Sequence, residues 1–125
     1  MVKHIDHISR SACLEIRRIN SIRHRLTTKA TAQLMCSVLS RLDYCNSLLI
    51  DINCDQIYRL QKVKNHATKG VVCKGRHEHI IPLLKALHWL PVKEGIIFKI
   101  VTFVFRFFDG TLPPYLSSCL SVYIP

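Results

Sequence analysis

The chain has 125 residues, 49% of them apolar, and 18 Lys and Arg against 8 Asp and Glu give a net charge of +10. That length fits one domain with a modest core rather than two ordinary ones, and that apolar content excludes a disordered tail. The charge excess suits a phosphate backbone or an anionic lipid surface and argues against a cationic partner.

In chain order, Ile5, Ile8, Ala12, Ile16, Ile19, Ile22 and Leu26 recur at three- and four-residue spacing. This pattern predicts an amphipathic helix of about six turns. Its opposite face carries Arg10, Arg17, Arg18, Arg23 and Arg25. Thr27 or Thr28 is an N-cap for a second helix through Leu34, Met35, Val38, Leu42, Cys45 and Leu49. A polar connection, residues 51–55, leads to a third helix on Ile57, Leu60, Val63, Ala67 and Val71, with Gly70 weakening its last turn. Residues 74–79 read as a linker. Pro82 suits the first turn of a short fourth helix through Leu83, Leu84 and Leu87.

After a turn at Trp89-Leu90-Pro91, Pro91 starts a fifth helix whose apolar residues run from Ile96 to Phe108 over more than one face. That distribution predicts the most buried element of the fold, with a strand as the competing reading because β-branched residues are frequent there. Asp109-Gly110 ends it, and Pro113-Pro114 opens a last short helix through Leu116 and Leu120. The expectation is an all-α protein, a small bundle of five or six helices. A basic helical segment, residues 1–74, and a downstream segment, 75–125, should pack as one unit.

Positive charge is uneven. Residues 1–29 carry a net +5, 30–50 none, 51–79 +3 and 80–125 +2. Two clusters follow: Arg17, Arg18, Arg23, Arg25 and Lys29 on the first helix and its exit, and Arg59, Lys62, Lys64 and Lys69 on the third. Such clusters neutralise phosphates and release counterions, giving sequence-independent, salt-sensitive binding of RNA or an RNA–DNA duplex. A solvated helix face is the alternative.

Catalysis, metals and membranes find less support. The eight acids are scattered, with no Asp-Asp pair, and Gly70, Gly75, Gly95 and Gly110 form no phosphate-binding loop. No catalytic residue and no cofactor is expected. Cys73, His77 and His79, with His66 or His88, have zinc-ligand chemistry but not a standard spacing, so no metal is expected either. The six cysteines mostly occupy helical, near-apolar positions, and the start at Met1 to Asp6 has no uninterrupted apolar core, so no secretory leader is expected; this predicts reduced, largely buried thiols without disulfide partners. An intracellular location, nuclear or cytoplasmic, follows. A mitochondrial presequence is opposed by Asp6 and Glu15. Lys99 and Arg106 interrupt the apolar stretch from Ile96, so no membrane span is expected. Trp89 and the phenylalanines of the fifth helix read as core rather than as a base-stacking platform.

Ser40-Arg41-Leu42-Asp43-Tyr44-Cys45-Asn46-Ser47-Leu48-Leu49 crowds polar side chains beside an apolar stripe, which predicts a packed, hydrogen-bonded helix. The same ten residues resemble a signature found just downstream of the reverse transcriptase domain in jockey-like non-LTR retrotransposons. Arg59-Leu60-Gln61-Lys62-Val63-Lys64-Asn65, His88-Trp89-Leu90-Pro91-Val92 and Pro113-Pro114-Tyr115-Leu116-Ser117 resemble later blocks of that family, in its order.

The resemblance implies the thumb and downstream part of an RNA-directed DNA polymerase, a helical region that grips the template–primer duplex. The acidic polymerase motif of the family's palm has no counterpart in this sequence, so the fragment would not be an enzyme by itself. Two alternatives stand beside nucleic-acid binding: an interaction module docking onto a palm domain or another protein, and a non-functional relic. Ile81 in place of a capping threonine, Gly95 in place of an arginine and Gly70 in place of an apolar residue support the relic. All three depart from the family in a mildly destabilising direction.

Overall fold

The structure, a computed structural model, describes residues 2–44, 49–73, 75 and 77–125. Among the described residues six α-helices follow in order: α1 (Val2–Ser21), α2 (Thr28–Asp43), α3 (Cys54–Val72), α4 (Ile80–Ala86), α5 (Val92–Asp109) and α6 (Pro114–Ser117). A 3-10 turn, Arg23–Arg25, joins the first two. Among the described residues there is no strand, so the all-α expectation holds and the competing strand over 96–104 does not form.

The first three helices form the body of the molecule. Ile5, Ala12 and Ile16 of α1, Met35, Val38, Leu39 and Leu42 of α2, and Leu60, Val63, Ala67 and Val71 of α3 close one apolar core. Fully burying such side chains stabilises by about 1.5–3 kcal/mol each, which is why the stripe and not local propensity fixes these helices. α1 and α3 run parallel: Asp6 pairs with Arg59, and farther along Asn20 meets His66 and Gly70. α2 runs back between their ends, bringing its Arg41 to Glu15 at 2.5 Å.

Helix boundaries differ from the periodic pattern at the ends of α1 and α2, and α6 stops at Ser117, short of Leu120. α1 stops at Ser21, whose hydroxyl donates to Arg18 O at 2.6 Å. Arg23 then bends the chain by donating to Leu26 O at 2.8 Å. Ile22 is therefore 46% exposed and not part of the stripe. Thr27 caps α2 as expected, accepting from Ala30 N at 3.2 Å.

α2 ends at Asp43 rather than reaching Leu49, because Tyr44 takes an extended conformation (ψ 123°). Lys99 Nζ donates to Asp43 O, satisfying one of the carbonyls left by the stop. Leu49 is buried although it lies beyond the helix. Cys45, Asn46, Ser47 and Leu48 of the signature, with Lys74 and Arg76 of the linker, lie outside the described residues.

The largest departure concerns α5. Only Val92 and Ile96 are buried on it, and Ile100 is partly so. Ile97, Phe98, Val101, Val104, Phe105 and Phe108 are exposed, from 47% at Ile97 to 70% at Phe108. It is the least buried of the long helices, not the most. The physical reason is priority: α1 and α2 already cover α3, and α5 reaches α3 only through its first turns. Trp89 is half-buried and packs against the core as expected, whereas Phe107 is half-buried and the other α5 rings are open, so the phenylalanines are not core.

The thiols are also more open than expected: Cys36, Cys54, Cys73 and Cys119 are exposed and Cys13 half-buried, all of them free. Gly110, with φ +74°, ends α5 in the left-handed conformation that glycine adopts without strain.

Candidate nucleic-acid interface

Because α1 and α3 run side by side, a groove opens between them on the face away from the core. Arg10, Cys13, Leu14 and Arg17 line its α1 side at helical three- and four-residue intervals. On the α3 side lie Arg59, Lys62, Val63 and His66, and the groove continues past Asn20 and Lys69 toward Gly70. Five cations thus face one carboxylate, that of Asp6, which is engaged by Arg59. The floor is apolar and the walls are basic, an arrangement that attracts and orients an anionic backbone while offering no base-specific contact.

Local features hold the walls. Lys62 lies 4.6 Å from the centroid of the Tyr58 ring, one turn earlier, so its ammonium is steered along the helix surface rather than left free to wander. The Asp6–Arg59 pair ties the open end of the groove, with the Arg59 side chain still 55% exposed and able to meet a second anion. Its stabilising effect is small, as for any ion pair in contact with water.

Of the nine residues picked from the sequence, Arg17, Arg59, Lys62 and Lys69 converge on this groove, although they come from what read as two separate clusters. Arg18, Arg25 and Lys29 are exposed but lie outside it. Arg23 has another occupation. Its Nε donates to Gly70 O at 3.1 Å, Nη2 to Val71 O at 2.9 Å and Nη1 to Leu26 O at 2.8 Å. The guanidinium therefore fastens the α1–α2 turn to the last turn of α3, where carbonyls lack helical partners. Lys64 is 8% exposed and faces α2 and α5 on the opposite side of α3.

Sequence reasoning missed Arg10 and His66 as groove residues. Arg10 is legible as the residue seven before Arg17 on the same charged face, whereas His66 reads from the sequence only as a possible zinc ligand. Among the described residues no three His, Cys, Asp or Glu side chains come together as a metal ion requires. Among them, too, no helix is long and apolar enough to cross a membrane.

Gly70 is not a defect of α3. A Cβ there would lie 2.4 Å from Asn20 Oδ1 and 3.1 Å from Met35 Cε, so the bare position lets α1 and α2 approach α3. Its carbonyl also receives Arg23. Gly95 is different: nothing lies within 4 Å of a Cβ placed on it.

Comparison of the chain with protein-family models, with curated proteins and with solved structures finds no match.

Proposed function

We propose that the chain is the post-palm, thumb-side part of a jockey-like non-LTR retrotransposon reverse transcriptase. In this reading it has no catalytic centre of its own and holds the backbone of RNA or an RNA–DNA duplex in the α1–α3 groove. The observation that carries the binding half is the convergence of Arg10, Arg17, Arg59, Lys62 and Lys69 on one groove. The origin half is supported by the four sequence blocks in family order, two of which meet in space: Gln61 of the second accepts a hydrogen bond from Val92 of the third at 2.7 Å.

Filter retention of an RNA–DNA duplex across a salt series tests the binding half. Retention at low salt that falls linearly on a log–log plot is expected, with a slope of about −0.7 to −0.9 per phosphate neutralised. No retention at low salt, or retention indifferent to salt, removes it. The origin half is tested by reading the transcript upstream of Met1. An open frame carrying the acidic polymerase motif is expected, and a frame interrupted by stop codons favours the relic instead.

The exposed apolar stripe of α5 favours a second reading, in which α5 docks onto a palm domain or another protein. The two are compatible, since the groove and the stripe occupy different faces.

A further inference from the structure

On the side of α3 away from the groove, a cleft of about 790 Å³ opens between the end of α2, the 88–90 turn and α5. This is a ligand-sized volume. Lys64, Trp89, Phe98, Lys99, Phe103 and Arg106 supply its chemistry. Three cations face the carboxylate of Asp43, so the cleft is net positive.

Lys64 is the unusual member. As a residue it is more than nine-tenths buried, and it lines the cleft. Its aliphatic stem is covered while its ammonium is not among the buried polar atoms left without a partner, so the charge reaches the cleft and is available to an anion there. The rings are equally out of place for a core. Phe98 is 64% exposed and Phe103 37%, and Lys99, Phe103 and Arg106 follow one another at i, i+4 and i+7 along α5. One ring face therefore stands between two cations, the interleaving that unpaired nucleotides use, with the base on the ring and the phosphate on the flanking charge.

We infer that this cleft takes an unpaired nucleotide, its phosphate on Lys64 and its base against Phe98, Phe103 and Trp89. An acidic peptide would answer the charge but leave the flat ring faces without a matching surface. The inference deepens the nucleic-acid reading: a duplex lies in the α1–α3 groove, and a single-stranded extension has a separate seat on the opposite face of α3.

The chain contains one tryptophan, Trp89, which makes the cleft its own reporter. The full chain is titrated with adenosine monophosphate and Trp89 emission is followed, with adenosine, inorganic phosphate and poly-glutamate as parallel probes. Saturable quenching by the mononucleotide is expected, at least about ten-fold tighter than by adenosine or phosphate alone, because each of those retains only one of the two contacts. Lys64→Met, which keeps the buried volume, should weaken it about ten-fold, as loss of a charge-assisted hydrogen bond does. Phe98→Ala, on an exposed ring that cannot threaten folding, should weaken it about five-fold or more.

Absence of quenching overturns the inference. So does equal quenching by poly-glutamate, which makes the cleft an acidic-peptide site, or a mononucleotide affinity unchanged in Phe98→Ala. A mononucleotide is too short to span the groove. Loss of duplex retention with quenching intact therefore sinks the groove alone, and the reverse sinks the cleft alone.

Discussion

The side-chain oxygen of Gln61 accepts the Val92 N–H at 2.7 Å, so α3 caps the first turn of α5. Pro91 occupies the N-cap position and has no side-chain acceptor to offer, which leaves that donor to be satisfied from another helix. Gln61 is in turn held by its Nε2, which donates to Asn65 Oδ1 at 2.7 Å. Gln61→Leu should lower stability by about 1 kcal/mol, as loss of an N-cap does, while Gln61→Glu keeps the acceptor and loses less. Urea unfolding with unchanged m-values measures both. Equal losses would mean that the capping bond is not what Gln61 contributes.

Arg23 carries a heavier structural duty. Two of its nitrogens donate to the final carbonyls of α3 and a third to the turn before α2. Arg23→Ala should cost about 2–3 kcal/mol, since hydrogen bonds to charged groups are worth about 1.5–3 kcal/mol and several act together. Arg23→Lys should recover only a fraction, because an ammonium cannot reproduce the planar fork. Thermal or urea midpoints decide it; a loss under about 0.5 kcal/mol is the range of an ordinary surface change and contradicts this role.

In the groove, Arg17→Ala and Lys62→Ala should each lower the salt slope of duplex binding by about one, whereas Arg18→Ala should change it much less. The measurement is retention of one duplex at several salt concentrations for each variant. Equal effects from Arg17 and Arg18 would point to diffuse surface charge rather than a groove.

Two glycines should respond in opposite directions. Gly95→Ala, with open space around the new methyl, should raise stability by about 0.5–1 kcal/mol. Gly70→Leu should lower it by about 1–3 kcal/mol through overpacking against Asn20 and Met35. If both substitutions stabilise, Gly70 is a packing blemish rather than a fitted close approach.

The stripe on α5 should make the isolated chain self-associate. Sedimentation at increasing concentration is expected to show growing mass, and Phe105→Ser with Phe108→Ser should restore a monomer while changing unfolding free energy by no more than about 0.5 kcal/mol. A clean monomer in the unsubstituted chain at its highest soluble concentration would remove the docking reading.

The sequence made the helices legible wherever a stripe met a cap. Ile5, Ala12 and Ile16 on α1, Thr27 before α2 and Gly110 after α5 each acted as their spacing implied. The ends of α1 and α2 were not legible. They rest on the Ser21 hydroxyl, the extended Tyr44 backbone, and the Arg23 and Lys99 side chains that satisfy carbonyls beside the stops, and periodicity carries no trace of these contacts.

The burial of α5 failed for a related reason. A helix that is apolar on several faces reads as central, yet burial depends on which partners remain after α1 and α2 have covered α3. The groove was half legible: charge could be assigned to α1 and α3 separately, but only the parallel packing of the two makes one site of Arg17 and Lys62.

Parallel neighbours have a kinetic consequence. Asp6 and Arg59 are separated by 53 positions, so the groove closes only when the chain has turned twice and brought distant segments together. Loop-closure entropy must be overcome before any such contact forms, which places the groove late in folding, after the α1–α2 hairpin. A peptide of α1 alone would keep Arg10 and Arg17 on one face and have no second wall. Binding measured on such a peptide reports loose charge, and the groove exists only in chains that extend through α3.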